Sequence, residues 1–430
     1  MSHDRVAAPA GVLFVAFRVL LPFASGYFLS YLFRSVNAVI APNLQSDLGI
    51  GAGELGTLTA AYFVLFAIAQ FPLGVVLDRY GPRKVQAGFL LIAVLGSAAF
   101  AMSDNLAMLT LARALIGLGV AGGLMSAMKA ITLWLPSERW PLANGVFMTA
   151  GGLGALVATL PVELLLRVMS WHGLFWLLAM FSLLAAAAIF FIVPDKPGSQ
   201  TQPQSLREQM QEYRSYITDR RFWRLAPLCM IAMSIGMAVQ GLWSGPYLRD
   251  VGGLNRHEAA ELQFLLALAL TFGFTLSGII ADALARLGVT LKTMLCVTAC
   301  GYSLVLLWLA SGVSATQPLL WIVFGLISNS TVLAYPILGR IFPLRAMGRI
   351  TTMLNGIVFG FAYFGQAGLG WVIDLWPRGP QGEYPPAAYA WAFGIPALLM
   401  LASILWFATG PGFTQSDSAN ASAGGSKPQD

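Results

Sequence analysis

One arginine carries the most chemical information in this chain. Arg34 lies eight residues before Pro42 inside an otherwise apolar run, roughly 12 Å from the end of that run if it is a helix rising 1.5 Å per residue. A guanidinium at such depth in hydrocarbon costs at least about 2.5 to 3.5 kcal/mol on insertion scales, so it must face a water-filled cavity or a counter-ion. Ser30, Arg34 and Asn37 share one helix face, with Tyr27 and Tyr31 beside them. Two readings of Arg34 stand: an internal salt bridge with Glu163 or Asp374, or a grip on a bound anion. Both acids sit nearer the outer ends of their segments, and so few others are available that the anion is the better counter-ion.

Lys129 is a second buried cation, about one and a half turns before Trp134. It either snorkels to the membrane surface or supplies a second positive contact lower in a cavity. Arg113, at the other end of the same segment, suits helix packing. Tyr62, Gln70, Gln240 and Trp243 have the depth to line a polar cavity, as do Asn329, Tyr335, Asn355 and Gln366. Each alone fits a helix-packing hydrogen bond equally well. His3, His172 and His257 are scattered, and Cys229, Cys296 and Cys300 lie in apolar segments without CxxC spacing. No nucleophile–base pair, metal site, cofactor or disulfide framework is expected.

The elements that must position these residues are membrane helices. Of the 430 residues, 57% are hydrophobic and 10% charged, against roughly 25% charged in soluble domains. Apolar runs predict twelve spans near 19–42, 55–77, 85–103, 107–133, 142–166, 172–193, 223–248, 259–281, 290–311, 318–340, 350–375 and 388–409. The expected fold is an all-α membrane protein of twelve transmembrane helices in two pseudo-symmetric six-helix bundles, 1–193 and 223–410. Between them 194–222 reads as a cytoplasmic linker with an amphipathic surface helix, and 411–430 as a disordered tail. The net charge of +6 invites a nucleic-acid partner, but Lys and Arg fall in short gaps between spans, where they set topology. Basic residues concentrate in the gaps that lie inside if both termini are cytoplasmic, with only Arg167, Arg249, Arg256 and Arg378 outside. A monomer in the bilayer of a bacterial inner membrane is expected.

The two halves repeat. A shift of 204 positions superimposes Pro42 on Pro246, Gly49 on Gly253, Glu54 on Glu258, Gly74 on Gly278 and Asp78 on Asp282. A shift of 211 superimposes Asn144 on Asn355, Gly154 on Gly365 and Glu163 on Asp374. Parallel repeats of this kind put a substrate site near the midplane between the halves. As repeat-related acids, Glu163 and Asp374 either titrate as coupling groups or tie the outer helix ends shut through Arg167 or Arg378.

The densest charge in the first half is Gly74-Val-Val-Leu-Asp78-Arg79-Tyr-Gly81-Pro-Arg83-Lys84. This stretch resembles motif A of the major facilitator superfamily, with Pro82 displacing the basic pair by one place and a decayed second copy at Gly278, Asp282, Arg286 and Gly288. Arg113-Ala-Leu-Ile-Gly117-Leu-Gly119 is similar to motif B, a resemblance that implies proton coupling as the alternative role of Arg113. The resemblance implies a secondary active transporter working by alternating access on a small-molecule substrate, with a proton or counter-anion as a possible partner. On that reading Asp78 accepts hydrogen bonds from the first turn of helix eleven, near Arg349 to Thr352, and latches the cytoplasmic side. Arg79 and Arg83 then pair with Glu138.

Tyr31-Leu-Phe-Arg34 before Pro42 further resembles helix one of organophosphate and organic-anion carriers, where the matching arginine grips the anion. Those exchangers carry a second arginine in helix seven. Here the 204 shift places Ala238 opposite Arg34, with Gln240 close by, which favours a carboxylate over a phosphate ester. The Gly-Pro pair of the antiporter signature is missing from Gly145 to Gly154. An efflux pump for hydrophobic or siderophore-like compounds is the alternative within the fold, supported by Met230, Met233 and Met237; a transporter-like sensor is the alternative outside it.

Overall fold

The computed structural model describes residues 12–195, 214, 216–328, 331, 333–342, 347–380 and 382–410. Most of the expected linker, the tail and Asn329 lie outside the described residues. Among the described residues, eight helices are long and apolar enough to cross a membrane, nine counting the bent pair Arg256–Gly273 and Leu276–Arg286. One of them, Ala52–Ala101, is two rods that meet at Gly81, and the shorter apolar helices Leu142–Val157 and Pro318–Ser328 complete twelve.

In chain order, α1 covers 12–48, α2 52–80, α3 82–101, α4 Leu106–Trp134 and α5 140–165. Then come α6 Trp171–Ile192, α7 Phe222–Asp250, α8 Arg256–Arg286 and α9 Leu291–Ala310. The last three are α10, made of Pro318–Ser328 and Ala334–Ile341, α11 Met347–Ile373 and α12 Pro386–Ala408. The first span is longer at both ends than its apolar core predicts: helix begins at Val12 and continues past Pro42 as far as Leu48. The motif between α2 and α3 is likewise not an extended loop. Helix continues through it on both sides, and only Gly81, at φ 77° and ψ 159°, turns the chain, a conformation open to glycine at no steric cost.

The repeat read from the sequence is visible in the caps. Gly49 and Gly253 end α1 and α7 in the left-handed region at φ 66° and 65°. Glu54 and Glu258, also 204 apart, sit at the third position of α2 and α8. Each carboxylate accepts from the amide at its own helix start, Gly51 N at 3.1 Å and Asn255 N at 2.9 Å, which satisfies orphan donors at both N-termini.

Small residues let the helices close within each half. A Cβ on Gly117 of α4 would lie 2.0 Å from the Tyr62 carbonyl of α2, and one on Gly154 of α5 would lie 2.1 Å from the Phe28 carbonyl of α1. Such contacts are the usual cohesion of apolar helices that gain nothing from expelling water. Between the halves, α1 packs on α7, α2 on α11 and α5 on α8. These pairs surround the candidate site.

Candidate functional site

A cavity of about 580 Å³ lies between the halves, lined from α1, α2, α4, α5, α7, α8, α10 and α11. Arg34 is half-buried in its wall, with its Cζ 3.9 Å from the centre of the Tyr31 ring. Its buried Nε has no hydrogen-bond partner, and among the described residues no carboxylate pairs with the guanidinium. Glu163 and Asp374 are engaged elsewhere, so the internal salt bridge is not formed. Gln240 lies in a π-helical turn, Val239–Trp243, which interrupts α7 and re-aims its side chains, as such turns often do at functional sites.

Of the residues expected to meet substrate, Tyr31, Arg34, Gln70, Gln240, Tyr335 and Asn355 line the cavity. Two of these are partly committed: Gln70 donates to the Ala121 carbonyl at 3.2 Å, and the Tyr335 hydroxyl donates to Asn355 Oδ1 at 2.5 Å. Five others are displaced from the wall. Asn37 is buried, and with its amide turned so that the oxygen faces Arg113, as the hydrogen-bond network requires, it accepts from Arg113 Nη2 at 2.9 Å and Nε at 3.3 Å. Arg113 also donates to the Phe33 carbonyl at 3.0 Å, so this pair clamps α4 to α1 rather than facing substrate. Tyr62 is turned toward Ser30, donating to its carbonyl at 3.3 Å. Trp243 donates to the Gln366 carbonyl at 2.9 Å, and both side chains are buried in the α7–α11 contact. Lys129 is no second cavity cation, because its ammonium pairs with Asp78.

The sequence reading also missed parts of the wall. Gly145, Met148, Thr149, Gly152 and Ala155 all line the cavity. Their spacing of three and four along α5 is the signal that could have found them.

The two ends of the bundle differ. At one end, Asp374 of α11 accepts from the backbone amides of Ala52 at 3.0 Å and Gly53 at 2.7 Å, the first turn of α2. Tyr384 donates to the same carboxylate, while Arg378 donates to the Ile50 carbonyl at 2.6 Å and to Tyr384 at 3.0 Å. Burial and the adjacent carboxylate push the Tyr384 phenol above its usual value, so it keeps its proton and donates. On the other side of that end, Glu163 of α5 holds Arg167 at 3.1 Å and meets His257 of α8 at 3.2 Å. Both repeat-related acids therefore join the halves.

At the opposite end, among the described residues, the ion pairs and hydrogen bonds of the Gly74 to Lys84 stretch go to the first half and to the start of the linker. Asp78 pairs with Lys129 of α4 instead of the start of α11. Arg83 meets Asp195 at 2.8 Å and the Phe190 carbonyl at 2.8 Å, and Arg79 lies over Tyr80. The cavity wall reaches Gly145 and Thr351, within two turns of the starts of α5 and α11 at this end.

The family model for the Major Facilitator Superfamily matches residues 23–364. The chain belongs to the Major Facilitator Superfamily. It is accordingly a multi-pass membrane protein. Among solved structures it is similar to the nucleoside transporter NupG, with a TM-score of 0.74 at 13% identity over 93% of this chain and 100% of that one. It is also similar to a bacterial homologue of the lysosomal transporter Spinster in an inward-facing conformation, with a TM-score of 0.71 at 16% identity over 98% of this chain and 100% of that one.

Curated relatives in the superfamily include a probable sulfoacetate transporter, SauU, from Cupriavidus necator, 26% identical over 60% of this chain and 63% of that protein. A galacturonate transporter from Dickeya chrysanthemi is 25% identical over 59% and 77%, and a hexuronate transporter from Escherichia coli K12 is 25% identical over 61% and 64%. The chain thus spans less than two thirds of the length of the SauU and hexuronate relatives.

Proposed function

We propose that the protein is a secondary active transporter of a small organic anion, working by alternating access, with Arg34 as the anion grip. The observation that carries this reading is Arg34 itself, half-buried in the central cavity with an unpartnered Nε and no described carboxylate beside it. A cation in a low-dielectric wall gains most from an anion that arrives with its own charge. The relatives named for sulfoacetate, galacturonate and hexuronate, all organic anions, support the same class. With both termini inside, as the basic residues favour, the Asp374 end faces outward and the cavity communicates with the cytoplasm. The conformation is then inward-open, in a bacterial inner membrane.

The test is counterflow of a panel of organic acids in proteoliposomes, with Arg34→Ala and Arg34→Lys purified alongside. Arg34→Ala is expected to abolish exchange while remaining monodisperse, and Arg34→Lys to retain a fraction, since a point charge replaces a planar fork. Undiminished exchange by Arg34→Ala would sink the reading.

A further inference from the structure

We propose that the cavity selects an amphipathic monoanion, one carboxylate on a compact apolar body, over a polyhydroxylated or doubly charged acid. This rests on Arg34 being the anion grip and adds what the rest of the wall demands of the substrate.

Three observations carry it. First, Arg34 is the one charged side chain among the described lining residues. A second negative charge on the substrate would enter the same cavity uncompensated, at a desolvation cost that no partner offsets. Second, four hydroxyl protons of the wall are already committed. Thr149 donates to the Gly145 carbonyl at 3.0 Å, Thr271 to Ala267 at 2.8 Å and Ser328 to Gly325 at 3.3 Å. Tyr335 spends its proton on Asn355. These groups keep acceptor lone pairs only. Each hydroxyl of a sugar acid needs an acceptor for its proton and a donor for its oxygen, and these four groups cannot supply the donor, so a sugar hydroxyl placed beside them is only half matched.

Third, the remainder of the wall is soft and apolar. Met125 and Met128 from α4, Met148 from α5, and Met233 and Met237 from α7 all line the cavity. Phe66 and Phe359 add to it from the two halves, with ring centres 4.2 Å apart. Thioethers are flexible and polarizable, so they mould to apolar bodies of varied shape and offer no hydrogen-bond donor. The carboxylate therefore meets Arg34 and Gln240 while the body lies among the methionines.

Thermal stabilisation of the detergent-purified full-length protein is measured against acetate, hexanoate, phenylacetate, D-galacturonate and sulfoacetate, with phenylacetamide as the uncharged control. The half-stabilising concentration is expected to fall at least about tenfold from acetate to hexanoate or phenylacetate, and to be higher for galacturonate and sulfoacetate than for hexanoate. Phenylacetamide should give no shift, and every shift should vanish in Arg34→Ala, which separates the site from partition into detergent. A Met148→Thr, Met237→Thr double variant should lose the preference for hexanoate while its response to acetate persists.

Stabilisation by galacturonate or sulfoacetate at lower concentration than by hexanoate overturns the inference and leaves the anion grip standing. Hexanoate preference retained in the double variant overturns the methionine wall as selector. Shifts that survive Arg34→Ala, or no shift with any acid, overturn the anion grip and this inference with it.

Discussion

The two ends of the bundle use similar chemistry on different partners. At one, a carboxylate of the second half, Asp374, caps the start of α2 in the first half, and Glu163 reaches His257 across the same divide. At the other, the acid of the Gly74 to Lys84 stretch pairs with Lys129 inside its own half. A carboxylate at a helix N-terminus has charge-assisted bonds and the helix dipole in its favour. The end where that bond crosses the divide is the end that is shut. Asp78 was expected to make the equivalent bond to α11, and in this conformation it is held back by an ammonium. On the proposed alternating-access cycle, closure at each end depends on which half supplies the carboxylate's donor.

The comparison breaks most completely by steric means. A Cβ on Gly53 would lie 2.6 Å from Asp374 Oδ2 and 3.2 Å from the Trp371 ring, so Gly53→Val both overpacks the contact and displaces the carboxylate. The closed end is expected to open, raising maleimide labelling of Gln263→Cys, buried beneath it, by roughly 10- to 100-fold and stalling counterflow. The assay uses a chain lacking Cys229, Cys296 and Cys300. Labelling no faster than in the parent would show that this contact does not hold the end shut.

Asp374→Ala removes the carboxylate without adding bulk. Two first-turn amides of α2 lose a charged acceptor worth about 1.5 to 3 kcal/mol each in similar settings. Water entering the vacated space replaces part of that. Labelling of Gln263→Cys should rise by roughly tenfold, at tenfold per 1.4 kcal/mol. Asp78→Asn should act in the opposite sense and more weakly. If Asp78 latches the other conformation, the variant costs that conformation a charged acceptor worth about 1.5 to 3 kcal/mol and the present one only a partly exposed pair worth about 0.2 to 1 kcal/mol, so the present one is enriched and labelling falls at least about two- to threefold. A rise in labelling would remove the latch.

Much of this architecture was legible before any coordinates. Span positions follow from apolar run length, and the 204 shift found Gly49, Gly253, Glu54 and Glu258, which take matching cap roles. The 211 shift found Glu163 and Asp374. These succeed because caps and span lengths are local consequences of sequence. Side-chain partners are not local. Asn37 shares a face with Arg34 on an ideal helix, but α1 is irregular at Val36, and Asn37 turns to Arg113 instead. Lys129 reads equally as a cavity cation or a snorkelling one until α2 is packed beside α4. Tyr384 and His257 came from loops and helix starts with no periodic signal, and their cross-half partners, the Ala52 amide and Glu163, lie at great distance along the chain.

The smallest expected effect tests whether the two acids of the closed end are equivalent. His257→Ala removes the cross-half contact of Glu163, but the carboxylate keeps Arg167 through two bonds of 3.1 and 3.2 Å. His257 is partly exposed and is shared with Glu261 at 3.5 Å, so its contact with Glu163 is worth only about 0.2 to 1 kcal/mol. Labelling of Gln263→Cys should rise by a factor of roughly two to five. Salt discriminates between the two sites. Raising ionic strength from 0.15 M to 1 M shortens the screening length from about 8 Å to about 3 Å. That should reproduce the His257→Ala phenotype in the parent protein and leave the Asp374 contact intact, because backbone amides donate to Asp374 inside a partly buried site. If high salt opens the closed end as fully as Asp374→Ala does, closure is governed by surface ion pairs and not by the capped helix.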